Sequence, residues 1–318
     1  TVLGTAEDPM EAILDRLDSA IQCWHGGLTT TGGGLKPIKC SWGLLGFHFP
    51  NGRPRAYTKH SLPARDLFVP DGTYSGAPIK RLDTDQAVAV VGVEQAMDGN
   101  MREQLDVLQQ KAEKWAEQIH KGWLNRKLAW QALSTTIWPS LRYPLPTTTL
   151  SRRQGDRMVC SLYRSLLPES GVQRRFPHLW RYSPLSFQGL GLPHPYYEQG
   201  IAQIGLIMQL GRQARLASHI SRATLEQFQL LVGSSTPFFR LELTRWRPAH
   251  LRNVWLLSLW EFLCNHNITC TGLDDIVPKA PRERNVALMD AVAALYPMEP
   301  HTFTAVNECR LFAQVYFL

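Results

Sequence analysis

The hydrophobic pattern of this chain changes near residue 100, and that change constrains the fold more than any other feature. Before it, apolar residues form short runs that glycines and prolines interrupt. After it, apolar residues recur three or four positions apart, which is the spacing of one buried face of an α-helix. This stripe consists of Leu105, Leu108, Ala112, Trp115 and Ile119. The pattern predicts a mainly α protein with a small α+β part at the N-terminus, divided into domains at 1–100, 101–195 and 196–318.

The first hundred residues contain signals for one helix and a few strands. Asp8 followed by Pro9 is typical of a helix start, and the apolar spacing that follows places Trp24 on the buried face of this helix. Asn51-Gly52 predicts a tight hairpin turn, because both residues tolerate positive φ angles. The predicted elements are a helix over residues 8–24, strands around residues 44–57 and a strand over residues 88–93.

The rest of the chain is predicted to consist of helices that proline- and glycine-containing loops separate. One helix is expected to stop at Pro139, because proline lacks the amide proton that a helix interior needs. Another would bury four apolar residues between Met158 and Leu167. The predicted helices cover residues 105–119, 127–138, 152–167, 201–216, 222–231 and 251–263, and residues 187–195 are predicted to form a loop.

Five segments resemble reverse transcriptases of retrotransposons and follow the order of that family. Residues 29–49, TTTGGGLKPIKCSWGLLGFHF, form a glycine-rich turn with two lysines between a helix and a strand, and they resemble the fourth palm motif of these polymerases. Residues 87–100 are similar to the strand and turn that follow the palm, and residues 111–119 to the first thumb helix. Residues 140–150 and 184–197 are similar to segments beyond the thumb helix. The resemblance extends to about residue 270.

This resemblance implies a role for each part of the chain. In the family, the intact enzyme copies RNA into DNA with magnesium, and its thumb grips the primer–template duplex. Lys39 occupies the position of the motif lysine, which the resemblance places near the phosphates of the incoming nucleotide as an auxiliary catalytic group. Lys36 is assigned to nucleic-acid binding. The alternative for Lys39 is a surface lysine that closes a turn.

The aspartates that hold two metal ions in this family have no counterpart here. The family places two adjacent aspartates just before the helix predicted at residues 8–24 and a third on an earlier strand. We therefore expect a fragment that follows these aspartates and is inactive as a polymerase by itself. Asp274-Asp275 is also a pair of adjacent aspartates, but it lies over two hundred residues after the position where the family has its pair. We interpret it as a loop or helix-capping pair.

The net charge of +7 is concentrated in one arginine-rich stretch. Residues 142–181 contain eight arginines and only two acids, Asp156 and Glu169. Aromatic residues interleave with the arginines, and guanidinium groups beside aromatic rings suit phosphate pairing and base stacking. The alternative is a solvated basic surface. The predicted nucleic-acid-binding residues are Arg152, Arg153, Arg157, Arg174 and Arg175, and the interleaved aromatic residues are Tyr143, Tyr163, Phe176, Trp180 and Tyr182.

Other residue types give weaker signals. Six scattered cysteines show no disulfide framework, and free thiols are expected. The one local group of metal-ligand types does not have the spacing of a zinc site, so no metal site is predicted. This group comprises Cys264, His266 and Cys270, with His301 and Cys309 further on. No apolar run is long enough for a membrane span, and we expect an intracellular protein of the nucleus or cytoplasm.

These features predict the nucleic-acid-binding part of a retroelement reverse transcriptase. Its partners would be RNA and DNA, as a primer–template duplex, without a membrane or small-molecule cofactor; magnesium belongs to the intact polymerase. Two alternatives stay open. One is a non-catalytic nucleic-acid-binding remnant, or a relic without an enzymatic role. The other is a metal-dependent nuclease that uses Asp83 and Asp85, or Asp274 and Asp275, and it would need a third acid or a histidine beside them.

Overall fold

The structure is a computed structural model that describes residues 9–48, 55–61, 65–70, 76–122, 124–212, 216–248 and 254–318. It is mainly helical, with a few small sheets near the N-terminus, so the predicted fold class is confirmed. The chain divides into two compact units, Thr1–Asn100 and Met101–Leu318. Within the described residues, no helix combines the length and the apolar character that crossing a lipid bilayer requires.

The first unit has one long helix and short paired strands around a small core. Leu14 of the helix packs against apolar side chains from three strand regions. The helix is α1 (Met10–Thr30), and the strands are β1 (Ser41–Trp42), β2 (Phe47–His48), β3 (Arg55–Ala56), β4 (Phe68–Val69), β5 (Ala77–Pro78), β6 (Lys80–Arg81), β7 (Ala87–Val90) and β8 (Val93–Ala96). Strands β1 and β6 are parallel, whereas β2–β3, β4–β5 and β7–β8 are antiparallel pairs.

Three sequence predictions for this unit need comment. Helix α1 continues six residues beyond the predicted end, and Trp24 is 65% exposed rather than buried. The small core covers only the helix face around Leu14, which leaves Trp24 in solvent. The antiparallel pairing of β2 with β3 agrees with the predicted hairpin, but Asn51-Gly52 lies outside the described residues, as does Asp8.

The strand predicted over residues 88–93 is instead a hairpin with a turn in its middle. Val91 and Gly92 have φ angles of 50° and 79°, and two consecutive positive φ angles are characteristic of a type I′ turn. Glycine adopts this conformation at no steric cost, whereas valine rarely does. Residues 87–91 are all apolar and Val93 follows Gly92 directly, so in the sequence the turn looks like a continuation of the strand.

The second unit is helical and contains two hydrophobic clusters. One lies along α2 and α5, and its largest buried side chains include Ile137 and Tyr163; the other surrounds Trp260 and Phe238. In chain order the helices are α2 (Arg102–Lys121), α3 (Arg126–Ala132), α4 (Trp138–Arg142), α5 (Arg152–Glu169), α6 (His178–Tyr182), α7 (Pro195–Arg212), α8 (Leu216–Val232), α9 (Leu243–Trp246), α10 (Trp255–Asn265), α11 (Leu288–Leu295) and α12 (Pro300–Phe312).

The apolar stripe after residue 100 forms α2, as predicted. Ile119 is buried, and Trp115 is partly buried against the same cluster. The helix predicted to stop at Pro139 instead continues to Arg142. A single π-helical turn, Leu133–Ile137, joins α3 to α4 and changes the hydrogen-bonding pattern, so that Pro139 lies at the start of a new α-helical segment. Proline is tolerated in the first turn of a helix.

A buried glutamine fixes the segment that leads into α5. Gln199 on α7 accepts a hydrogen bond from the Leu150 N–H at 2.8 Å and donates one to the Leu150 carbonyl at 3.1 Å. The Thr148 hydroxyl lies 2.7 Å from the same glutamine oxygen. All these groups are buried, where hydrogen bonds are costly to lose. The start of α5 is therefore anchored to α7.

Candidate nucleic-acid interface

Helix α5 carries most of the arginine-rich stretch, and a cap and a buried face fix its position. Ser151 and Gln154 form a reciprocal capping box, in which each side chain accepts the backbone N–H of the other residue. The helix ends within two residues of the predicted position. Its predicted apolar residues are all buried, so the opposite face of α5 is left to solvent. These residues are Met158, Leu162, Leu166 and Leu167.

Three arginines form a row on that exposed face. Arg153, Arg157 and Arg164 are all exposed. They are four and seven residues apart, which places them on one side of the helix over a length of about 16 Å. None of the three forms an ion pair with another described residue. Their guanidinium groups are therefore available to an anionic ligand.

Arg152, which was predicted to bind nucleic acid, does not belong to this row. Its guanidinium carbon lies 5.9 Å from the ring centroid of Tyr197, because consecutive helix positions are rotated by about 100°. Arg164 takes the third place in the row, although sequence reasoning did not include it. The helical spacing of residues 153, 157 and 164 was the signal that could have identified it.

The chain after α5 turns back and forms a cleft against this helix. The cleft has a volume of about 570 Å³, and Arg174 and Arg175 line it together with Arg164. The structure thus brings two of the predicted arginines into one cavity with a residue of the exposed row. Arg181 also lines this cavity, but it donates hydrogen bonds to the Phe176 carbonyl at 2.6 Å and to the Arg174 carbonyl at 3.1 Å. These bonds hold the returning segment in place.

Asp156 is the one carboxylate among the described residues that line this cleft, and His194 holds it. His194 Nε2 lies 3.0 Å from Asp156 Oδ1, and Nδ1 accepts the backbone N–H of Tyr196 at 3.2 Å. Because Nδ1 is an acceptor, Nε2 carries the proton and donates it to the carboxylate. Burial lowers the pKa of His194, although the bond to Asp156 opposes this shift.

The lowered pKa of His194 predicts a loss of stability in mild acid. Above its ordinary pKa of 6.5, His194 is neutral in both the folded and the unfolded chain. As the pH falls below that value, the unfolded chain takes up a proton first, so the free energy of unfolding decreases until the folded pKa is reached. The contribution is at most about 1.4 kcal/mol per pH unit. His194→Gln keeps a donor for Asp156 but cannot titrate.

Urea unfolding of both proteins at pH 7, 6 and 5 checks this prediction. The wild type should lose more stability than His194→Gln between pH 7 and pH 5, since the other histidines are common to both proteins. Equal losses in the two proteins would contradict the assignment of a buried, neutral imidazole.

The aromatic residues of the stretch fall into exposed and buried groups. Tyr163 is buried and donates its hydroxyl to a backbone carbonyl, and burial raises its pKa. It is therefore closed to base stacking. Tyr182 and Phe176 are half-buried and line the cleft, whereas Trp180 and Tyr143 are 44% and 59% exposed. Tyr163 also lines the cleft, but it is only 2% exposed, so the other four rings are the ones more open to a ligand.

Lys36 and Lys39 belong to the first unit, whereas the arginines belong to the second. Both lysines are exposed, and they bracket a single 3-10 turn, Pro37–Lys39, in which the Lys39 N–H donates to the Lys36 carbonyl at 2.9 Å. Neither forms an ion pair with a described residue. The turn is compatible both with the motif lysine and with a surface lysine that closes a turn.

Three of the four aspartates that a nuclease would use have other partners. Asp274 pairs with Arg240 at 3.0 Å, and Asp275 pairs with Arg222 at 3.1 Å. Asp83 accepts two backbone N–H groups. Over the ranges that the structure describes, no three histidine, cysteine or acidic residues are grouped so that they could hold a metal ion.

No family model, curated protein or solved structure matches this chain. The order of the five motif segments remains a prediction from the sequence. Function is therefore inferred from the residues and from their geometry.

Proposed function

We propose that this chain is the nucleic-acid-binding part of a retroelement reverse transcriptase and that it holds an RNA- or DNA-containing duplex through its phosphates. One observation carries the proposal: five arginines of one helix and the segment after it are exposed and have no ion-pair partner among the described residues. They are Arg153, Arg157, Arg164, Arg174 and Arg175.

The geometry of the exposed row supports phosphate binding. Guanidinium groups pair with phosphate oxygens through two parallel hydrogen bonds. The three guanidinium groups are spread over about 16 Å of the helix, so each can contact a different phosphate of one strand. Base edges are not needed for such contacts, and we expect little sequence preference.

The reverse transcriptase assignment depends on the order of the motif segments. In that family the thumb grips the duplex, and the helices that follow residue 100 occupy the corresponding part of the chain. Lys39 would assist at the phosphates of the incoming nucleotide in the intact enzyme, where aspartates outside this sequence bind magnesium. This chain would therefore bind the duplex, and other parts of the enzyme would catalyse the reaction.

The salt dependence of binding tests the proposal. Each phosphate contact on a duplex contributes about 0.9 to the slope of log affinity against log salt. Changing all five arginines to glutamine should flatten that slope by about 3 to 4 units, while the fold persists because exposed arginines contribute little to stability. Fluorescence anisotropy of a labelled primer–template duplex over a salt series measures the slope, and circular dichroism checks the fold.

Two arginines with carboxylate partners provide the control. Arg222→Gln combined with Arg240→Gln removes guanidinium groups that Glu226, Asp275 and Asp274 already neutralise. This double variant should keep the wild-type slope. An unchanged slope in the five-arginine variant would refute phosphate binding by this surface.

A further inference from the structure

The cleft beside α5 has the size and the concave shape of a small-ligand site. Its volume of about 570 Å³ lies within the range of 300–1,000 Å³ that is usual for such sites. A phosphate row on a duplex needs only a convex surface, and the exposed row of α5 already provides one. The cleft therefore needs an explanation of its own.

The charged groups of the cleft favour an anion. Arg164, Arg174 and Arg175 line it without an ion-pair partner among the described residues. The single carboxylate, Asp156, accepts a hydrogen bond from His194 at 3.0 Å and is occupied in part by that bond. Three arginines that line one concave site carry more N–H donors than a single phosphate group needs.

Rings form the rest of the wall beside these arginines. Tyr182 and His178 both line the cleft, with ring centroids 6.0 Å apart. The Tyr182 ring is fixed by an edge contact with His194 at 4.9 Å, and burial raises the pKa of its hydroxyl to about 12, which keeps it uncharged. Flat rings in the same cleft as arginines suit a nucleobase that is joined to a phosphate.

We propose that this cleft binds a single unpaired nucleotide, with its phosphate on Arg164, Arg174 and Arg175 and its base against His178 and Tyr182. The inference rests on the proposed function and specifies the form of nucleic acid that the cleft takes. A base inside a duplex must first leave its stack and its partner, at a cost of a few kcal/mol. An unpaired nucleotide avoids most of that cost, whether it belongs to a single strand or is a free nucleoside monophosphate.

Cys160 provides a reporter inside the cleft. Its thiol is free and exposed and lines the cavity, whereas Cys309 on α12 is equally free and exposed but lies outside it. The rate of alkylation by iodoacetamide, measured for each cysteine by mass spectrometry, reports occupancy of the cleft. A 10-nucleotide single strand and AMP should each slow alkylation of Cys160 at least fivefold and leave Cys309 unchanged. A covalently closed duplex, which has no ends, should protect Cys160 less than twofold.

Orthophosphate distinguishes a nucleotide site from a simple anion site. It should protect Cys160 less than AMP does at equal concentration, because it offers nothing to the rings. Protection by AMP assigns the site to any nucleoside monophosphate, and protection by the strand alone assigns it to a nucleotide within a chain; both results support the proposal. Equal protection by orthophosphate and AMP, equal protection by duplex and single strand, or no protection of Cys160 by any ligand would overturn it.

Two matched pairs of arginine variants separate this inference from the proposed function. Arg174→Gln with Arg175→Gln should abolish the protection of Cys160 and lower affinity for the single strand at least tenfold more than affinity for the closed duplex. The pair Arg153→Gln and Arg157→Gln changes residues outside the cleft. It should lower affinity for the single strand and for the closed duplex to a similar extent. If both pairs of substitutions lower affinity for the duplex and for the single strand equally, the proposed function stands and the cleft inference fails. If neither pair affects any nucleic acid, the proposed function fails as well.

Discussion

Trp260→Ala is expected to lower the free energy of unfolding of the second unit by about 4 kcal/mol. Trp260 is fully buried, and its ring meets the rings of Phe228 and Phe238 at centroid distances of 6.2 and 5.4 Å. Its Nε1 donates a hydrogen bond to the Leu241 carbonyl at 3.0 Å. Alanine would leave a cavity between these rings and would remove the indole hydrogen bond to Leu241, whose carbonyl would keep only the Cys264 thiol at 3.6 Å. Domains are stable by about 5–15 kcal/mol, so this loss is a large part of the total.

Urea unfolding followed by far-UV circular dichroism measures the effect. Trp180→Ala is the matched control in the same unit, because Trp180 is 44% exposed and its loss should cost no more than about 1 kcal/mol. The prediction is wrong if the two tryptophan variants unfold at the same urea concentration. Such a result would mean that the aromatic cluster around Trp260 is not a packed core.

Gln199→Leu should be the second most damaging change, with a loss of about 3 kcal/mol. Leucine has a similar size, so little packing is lost. It leaves the N–H and the carbonyl of Leu150 buried without partners, since Gln199 bonds both of them. Each unsatisfied buried group costs about 1–3 kcal/mol. The effect tests whether hydrogen bonds to buried backbone groups, rather than burial of apolar surface, stabilise this part of the unit.

Equilibrium unfolding and hydrogen exchange provide two readouts for Gln199→Leu. Because Leu150 directly precedes the cap residue Ser151, amides at the start of α5 should exchange faster as well. Gln131→Leu serves as the control, since Gln131 is exposed on α3 and its replacement should change stability by less than about 0.5 kcal/mol. Equal stability of the two glutamine variants would show that the buried bonds contribute nothing net.

The elements that were predicted well are those in which local signals agree. Helix α5 has a capping box at its start and apolar residues at helical spacing, and its predicted bounds were accurate within two residues. Trp24 was misplaced because burial depends on what covers a helix face, which periodicity does not reveal. The turn at Val91-Gly92 was missed because valine seldom adopts a positive φ angle.

The candidate interface could be predicted only in part. Composition located the arginines, and helical spacing places Arg164 on the side of Arg153 and Arg157, but only the structure shows that Arg152 lies against Tyr197. The cleft depends on a chain reversal after α5 that Arg181 holds by bonding two backbone carbonyls. Such long-range placement leaves no periodic mark in the sequence, so a cavity of this kind cannot be read from spacing alone.

The π-helical turn before Pro139 also keeps the helix in phase with its core. The buried residues Ala129, Leu133, Ile137 and Leu141 follow one another at intervals of four. In a regular α-helix that interval rotates each residue by about 40° relative to the last, or about 120° over the whole series. The wider turn takes up part of this rotation. Apolar residues at intervals of four can therefore form one continuous ridge against the core. In an unbroken α-helix, Leu141 would instead be rotated toward solvent.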